Sequence, residues 1–188
     1  MTREGWDASW NGRDTGRVAI MGVRGYRLGM GVPNENDVGI YDDAFILRIG
    51  EKLSIWWAST DPGVFYVKNP MNPLGCASLR PGLWQYQLGD HRGHAALVQA
   101  EAVEVDRLNT SGRAVSRDQG FFGLNIHSGG AQEDVGHFSA GCQVLWCPEG
   151  SWGETWLRFY APIASAMREA KQERVAYLLV DRVMAVAE

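Results

Sequence analysis

The amino-acid sequence predicts a mainly β (α+β) domain with a single helix near its C-terminal end. Short apolar runs alternate with turn residues along most of the chain, and only one segment has helical spacing. The 188 residues include 23 glycines and are 45% hydrophobic, which suffices for one sizeable core. We therefore expect a flexible N-terminal arm over residues 1–16 and a single catalytic domain over residues 17–188.

The predicted strands follow the apolar runs in chain order. Residues 17–23 form the first strand, and residues 29–36 have the composition of a turn. Two apolar runs at residues 43–49 and 53–58 flank Gly50-Glu51-Lys52, which is typical of a hairpin. Further strands are predicted at residues 83–88, 95–100, 102–107, 121–126, 143–147 and 175–180.

Two segments between these strands have a different pattern. Residues 59–82 are rich in proline and have few periodic positions, so we expect a long shaped loop of the kind that borders functional sites. Residues 162–173 have helical spacing, with Pro162 suited to the first helical position and Ile163, Met167 and Ala170 on one face.

Charge and composition exclude several classes of partner. The net charge is -4, the pI is about 5.6, and no cluster of lysine and arginine occurs, so nucleic acid is not an expected partner. No apolar segment has the length of a signal peptide or a membrane helix. We expect a protein synthesised in the cytoplasm, with no membrane partner, and the sequence leaves its oligomeric state open.

Cys142 is the candidate nucleophile. The three cysteines are an odd number and, without an export signal, are expected to be thiols. An apolar strand ends at His127, and a glycine-rich segment then leads to Ser139-Ala140-Gly141-Cys142. A nearby imidazole lowers the pKa of a thiol by stabilising the thiolate, so His127 is the candidate base. Gly141 would let substrate approach, and the amides of Gly141 and Cys142 could face the oxyanion.

The order of these residues resembles the signature of the L,D-transpeptidase catalytic domain, in which a strand-end histidine precedes a Ser/Thr-His-Gly-Cys turn. In this chain His127-Ser128 matches the first part and the segment 139–142 matches the second. Ala140 stands where the family has the second histidine, and Val144 stands where arginine or asparagine is usual.

The resemblance implies a β-sandwich or barrel that acts on the stem peptide of peptidoglycan. Cys142 would be acylated, His127 would be the base, and Ser128 would help to orient the histidine. No cofactor and no metal ion are expected. Residues 59–63 and 89–93 look like segments of small phage-encoded proteins that degrade murein, so we expect a hydrolase of the endolysin kind that acts at the bacterial cell wall or periplasm.

Five further residues are candidates for substrate contact, because they lie in the two motif segments, in a polar turn or on an aromatic wall. They are Ser139, Asn125, His91, Arg92 and Trp84. The other two cysteines, Cys76 and Cys147, are expected to be structural.

Two alternatives remain open from the sequence. A zinc-dependent peptidase or amidase would use His91, His94, His127 or Cys142 as ligands of an ion that activates water. A non-catalytic virion or wall-binding module would keep the transpeptidase-like shape without turnover.

Overall fold

A computed structural model describes residue 10 and residues 16–26 and 36–181. The strands there are β1 (Val18–Arg24), β2 (Asp43–Ile49), β3 (Lys52–Ser59), β4 (Cys76–Leu79), β5 (Gly82–His91), β6 (His94–Gln99), β7 (Val103–Leu108), β8 (Ala114–Gly120), β9 (Ile126–Ser128), β10 (Gln143–Leu145) and β11 (Val175–Asp181). The helices are α1 (Val64–Lys68) and α2 (Glu154–Ala170). Neither helix is long and apolar enough to cross a membrane.

Eight of these strands close into a barrel in the order β1-β11-β5-β6-β9-β10-β3-β2, and β4, β7 and β8 form a separate three-stranded sheet. The first strand pairs in parallel with β11 and antiparallel with β2. β1 is buried along nearly its whole length, which explains its continuous apolar sequence. The predicted mainly β fold with one long C-terminal helix is confirmed.

The predicted hairpin is confirmed as β2 and β3, but the prediction of one long shaped loop at residues 59–82 is wrong. That segment contains α1 and the buried strand β4, which pairs with β7. The prediction of a strand at residues 121–126 is also wrong, because in this region only Ile126–Ser128 is extended in a sheet. β8 was missed because its side chains are mostly polar and exposed.

The long helix starts eight residues earlier than predicted. Pro162 lies inside α2 and not at its first position, and it faces outward. On the opposite face Trp156, Phe159 and Ile163 are buried in the main core. The helix ends at Ala170, and the left-handed conformation of the following Lys171 (φ 52°) lets its N–H bond back to the last turn.

The core also positions the strand that follows Cys142. Phe159 of the helix packs on Phe45, which contacts Tyr177 edge to face at 6.0 Å between ring centroids. The Tyr177 hydroxyl then donates to Oε1 of Gln143 over 2.9 Å. Gly22 makes this possible, because a Cβ atom there would lie 2.1 Å from the Tyr177 hydroxyl. Gln143 is therefore held from inside the barrel.

Parts of the predicted domain organisation lie outside the described residues. These are residues 1–9 and 11–15 of the predicted arm, most of the turn predicted at residues 29–36, and residues 182–188. Within the arm, Trp10 is 3% exposed and is buried in a cluster with Met21 and Ile46.

Candidate active site

The sheet brings His127 and Cys142 together. β9 and β10 are parallel neighbours, with Ile126 opposite Gln143 and His127 opposite Val144. Cys142 immediately precedes β10 and so lies beside the start of β9. The thiol of Cys142 and ring nitrogens of His127 and His91 all lie within 4.8 Å of one another. A small movement of either side chain would therefore bring the thiol and the imidazole within hydrogen-bond distance for proton transfer.

The hydrogen bonding of His127 fixes the position of its proton. Nδ1 lies 2.8 Å from the carbonyl oxygen of Ser128, which can only accept, so Nδ1 carries the hydrogen. Nε2 therefore has a free lone pair, and within the described residues it is buried without a hydrogen-bond partner. Burial lowers the pKa of His127 to about 4, and the nearby His91 acts in the same direction. The imidazole is neutral at pH 7 and can accept a proton at Nε2.

Cys142 is also neutral at rest. Its side chain is 8% exposed, and the thiol donates to the carbonyl oxygen of Gly123 over 3.5 Å. Burial raises the pKa of the Cys142 thiol to about 11, although the backbone N–H of Asn125 and the charge of Arg92 oppose this. Desolvation therefore opposes the resting thiolate–imidazolium pair expected from the sequence, because it disfavours both charged partners.

The turn before β10 is held by Ser139, which is fully buried. Its hydroxyl donates to the carbonyl oxygen of Cys142 over 2.7 Å and accepts the N–H of Gly141 over 3.1 Å. Ser139 thus orders the turn, and the expectation that it contacts substrate is wrong. The Gly141 amide, expected to face an oxyanion, is already bonded to this hydroxyl.

Gly141 is needed for a different reason from the one expected. Its φ of +126° lies in a region that other residues rarely adopt, and a Cβ atom there would be 2.5 Å from the carbonyl oxygen of Ala77. That side of the glycine is filled by protein, so it offers no approach for substrate. Its role is to let the turn pack against β4.

Ser128 orients His127 through its backbone and not through its hydroxyl. The Ser128 carbonyl accepts the histidine Nδ1 hydrogen, as described above. The hydroxyl lies 3.2 Å from the sulfur of Cys147 and accepts the N–H of Trp152 over 2.7 Å. Cys147 is fully buried, in agreement with the structural role expected for it.

His91 stacks on His127, with ring centroids 4.2 Å apart and planes 11° from parallel. Asn125 determines its protonation pattern. The Asn125 Oδ1 accepts the backbone N–H of Gln99 over 3.1 Å, so its Nδ2 is the atom that faces His91 Nδ1 at 3.0 Å. Nδ2 can only donate, and His91 therefore accepts at Nδ1 and carries its hydrogen on Nε2. Asn125 is 8% exposed and acts on His91 rather than offering a surface to substrate.

His91 and Arg92 lie at the hairpin turn between β5 and β6, in agreement with the polar turn expected for them. Arg92 and Gly93 both have positive φ values, 55° and 87°, as a two-residue type I′ turn requires. The Asp90 carboxylate accepts the Gly93 N–H over 2.8 Å. Arg92 is exposed, and its charge lowers the pKa values of both Cys142 and His127, so it lies within electrostatic reach of the site.

Trp152 belongs to this site but was not predicted. Its ring is stacked between His94, at 4.4 Å, and His127, at 5.8 Å between centroids. It has a left-handed backbone (φ 62°) in the turn before α2. A tryptophan between Ser151 and Gly153 in a polar turn was the only signal that the sequence offered.

Trp84 is not part of this site. It lies seven residues before His91 on β5, which at about 3.3 Å per residue separates them by roughly 23 Å. Its ring packs against the main core and donates to the carbonyl oxygen of Arg80 over 2.9 Å. His137 is also elsewhere, with its ring centroid 3.9 Å from that of Phe65.

The donor set of His91, His127 and Cys142 has the ligand number of a catalytic zinc site. The ring geometry does not fit this use. Two nearly parallel rings 4.2 Å apart cannot both direct a lone pair at one ion, because each lone pair lies in its own ring plane. His91 also carries its hydrogen on Nε2 and accepts from Asn125 at Nδ1. Metal binding would require His91 to turn and to break that bond.

Comparisons of the chain with protein-family models, with curated proteins and with solved structures gave no match in any of the three.

Proposed function

We propose that this chain is a cysteine-dependent hydrolase that cleaves amide bonds in the stem peptides of peptidoglycan. Two observations carry the chemical part: a ring nitrogen of His127 lies within 4.8 Å of the sulfur of Cys142, and within the described residues the buried Nε2 of His127 has no hydrogen-bond partner. A free lone pair on a neutral imidazole beside a thiol is the arrangement that general-base activation of a nucleophile needs.

The neutral resting pair supports a mechanism in which the proton leaves sulfur as the new bond forms. The Cys142 sulfur attacks the substrate carbonyl carbon while its hydrogen passes to Nε2 of His127. The tetrahedral intermediate then collapses, the C–N bond breaks, and the imidazolium returns the proton to the leaving amine. A thioester on Cys142 remains.

The second half repeats the proton path with water. His127 accepts a proton from water, the oxygen attacks the thioester carbonyl, and the C–S bond breaks as sulfur regains a proton. Water as acceptor gives hydrolysis, and an amine acceptor would give a new amide by the same route. We favour hydrolysis, because residues 59–63 and 89–93 look like segments of phage-encoded proteins that degrade murein.

The substrate class is supported by the resemblance of His127-Ser128 and the turn 139–142 to the L,D-transpeptidase signature. The register of β9 against β10 places these two segments side by side, as a shared site requires. Action at the bacterial cell wall, as in a phage-encoded endolysin, is part of the same proposal.

Purified muropeptides incubated with the protein and resolved by mass spectrometry test this proposal. The wild type should give paired fragments whose masses sum to that of the substrate plus one water, and acid quenching should trap an acylated Cys142. Cys142→Ala should give neither. Cys76→Ala is the matched control, since this buried cysteine lies outside the cluster, and it should cleave like the wild type. Cleavage by Cys142→Ala would refute the proposal.

A zinc-dependent peptidase is the second candidate, and the donor set of the cluster is the observation that favours it. A chelator separates the two. The cysteine hydrolase should keep its activity in excess 1,10-phenanthroline and lose it with iodoacetamide. A zinc enzyme should lose activity with the chelator and regain it on addition of zinc. If Cys142→Ala and the wild type both bind cell walls and neither cleaves, a non-catalytic wall-binding module is indicated.

A further inference from the structure

We propose that His91 is a second catalytic residue, whose Nε2–H donates a hydrogen bond to the carbonyl oxygen of the substrate as that oxygen becomes an oxyanion. This inference rests on the proposed function, in which Cys142 attacks a carbonyl. It adds a role that the sequence did not assign, because His91 was expected only to contact substrate.

The first step of the argument is the opposite hydrogen-bonding character of the two stacked imidazoles. His127 holds its hydrogen on Nδ1 and offers a lone pair at Nε2. His91 accepts at Nδ1 and therefore holds its hydrogen on Nε2. A nitrogen of each ring lies within 4.8 Å of the Cys142 sulfur, so the cluster contains one imidazole that can accept a proton and one that can donate a hydrogen bond. Attack on a carbonyl needs both, the acceptor for the thiol proton and the donor for the developing negative charge.

The second step is that the donor is fixed in place before substrate arrives. Asn125 cannot rotate its amide without losing the bond between its Oδ1 and the backbone N–H of Gln99. The Gln99 side chain is in turn held by Oε1, which accepts the N–H groups of Phe122 and Leu124. A preorganised donor is worth more than one that must reorient during the reaction.

The third step is that the Gly141 N–H is not available to an oxyanion, whereas His91 is accessible from solvent. The Gly141 amide, which would otherwise be a donor for the oxyanion, is committed to Ser139 Oγ. His91 is only half-buried, at the end of a hairpin whose next residue, Arg92, is exposed. The side chain is therefore both accessible and within the cluster.

The charged and titratable groups around His91 keep it neutral. Burial, Arg92 and His94 lower the pKa of His91, and Asp90 opposes them. The stacked partner His127 is itself neutral, since burial lowers its pKa as well. A neutral imidazole with its hydrogen on Nε2 donates without first having to lose or gain a proton.

Two variants separate donation from packing. His91→Phe keeps an aromatic ring to stack on His127 but has no donor, and kcat on muropeptides should fall about 10²- to 10³-fold with little change in KM. His91→Gln places an amide N–H near the position of Nε2 and should recover a large part of that loss. Thermal unfolding followed by circular dichroism checks that both variants fold. If one variant does not fold, the kcat of the other is compared with that of the wild type.

The rate at which iodoacetamide alkylates Cys142 distinguishes the two roles. A structural role of His91 predicts that His91→Phe changes this rate, whereas oxyanion binding does not. No oxyanion forms in that reaction, so the alkylation rate of His91→Phe should stay within about threefold of the wild-type rate. Equal losses in alkylation and in turnover would mean that His91 only supports the Cys142–His127 pair. A wild-type kcat in His91→Phe would also overturn the inference.

Acylation by 4-nitrophenyl acetate distinguishes failure of this inference from failure of the proposed substrate class. This ester needs no peptide recognition, yet its attack still forms an oxyanion. If muropeptides are not cleaved but the ester acylates Cys142 more slowly in His91→Phe than in the wild type, the role of His91 stands and the substrate class is wrong. If muropeptides are cleaved equally by both, the proposed function stands and the role of His91 is wrong.

Discussion

Ser139 donates its hydroxyl hydrogen to the carbonyl oxygen of Cys142 over 2.7 Å, three residues along the chain. The same oxygen atom of Ser139 accepts the N–H of Gly141, and the Ser139 carbonyl accepts the N–H of Gly63. The turn that presents the sulfur is thus tied both to itself and to the segment before α1. Cys142 thus owes its position to a residue that is fully buried.

Ser139→Ala should therefore destabilise the protein. It leaves a buried carbonyl and a buried N–H without their partner, which costs about 1–3 kcal/mol. For a chain of this size the midpoint of thermal unfolding should fall by roughly 2–4 °C per kcal/mol. Ser165→Ala is the control, because that hydroxyl bonds only to Glu169 on the exposed face of α2, and it should unfold at nearly the wild-type temperature. Equal unfolding temperatures for the two variants would contradict this role of Ser139.

Gly141→Ala should cost more stability than an ordinary glycine substitution. The added Cβ would meet the Ala77 carbonyl oxygen at 2.5 Å in a conformation of positive φ, so the turn must move. Gly50→Ala is the comparison without a steric contact, since its φ is +57° and no atom lies within 4 Å of the added Cβ. Chemical denaturation should show a loss of about 1 kcal/mol for Gly50→Ala and clearly more for Gly141→Ala. A smaller loss at position 141 than at position 50 would argue against this packing.

The acid limb of the activity profile should lie at low pH. A base works only when unprotonated, and burial lowers the pKa of His127 to about 4, so the base stays functional as pH falls to that value. The kcat/KM for 4-nitrophenyl acetate, which has no ionisable group, should decline below pH 5 with a midpoint near 4. A midpoint near the ordinary histidine pKa of about 6.5 would show that His127 is more exposed to water than its burial in the structure indicates.

Cys142 should react with alkylating reagents as a buried neutral thiol. Because burial raises its pKa to about 11, the thiolate fraction and the rate with iodoacetamide should rise about tenfold per pH unit between pH 7 and pH 10. Peptide mapping separates its label from those of Cys76 and Cys147, and Cys142→Ser controls for reaction elsewhere. A rate that is already constant between pH 5 and pH 8 would indicate a thiolate–imidazolium pair at rest.

The hairpins and the closing strand could be predicted because their signals are local. β2, β3 and β11 have apolar runs bounded by turn residues. β8 has no such run, because as the edge of a small sheet it exposes most of its side chains, so its extended form depends on pairing with β7. In α2 the apolar period extends back to Trp156, whereas the preference of proline for the first helical position predicts a start at Pro162. Pro162 instead lies on the outward face within the helix, so this preference does not mark the start of α2.

The pairing of His127 with Cys142 was anticipated from their neighbourhoods in the sequence, whereas the surroundings of the pair were not. His91 meets His127 only because β5, β6 and β9 are adjacent in the barrel, and such long-range pairing has no local signature. The stacking of Trp152 on His127 likewise has no local signature in the sequence. The neutral state of the thiol was also not predictable, since it depends on burial, which the sequence alone does not measure.

The parallel pairing of β9 with β10 fixes the spacing of His127 and Cys142 independently of the segment that connects the two strands. Three backbone pairings set the spacing between His127 and Cys142, while residues 131–134 of the connecting segment are all exposed. Substitutions at those exposed positions can alter the surface of the segment while the sheet keeps His127 and Cys142 at the same distance. In this fold, the connecting surface and the spacing of the pair can therefore evolve independently.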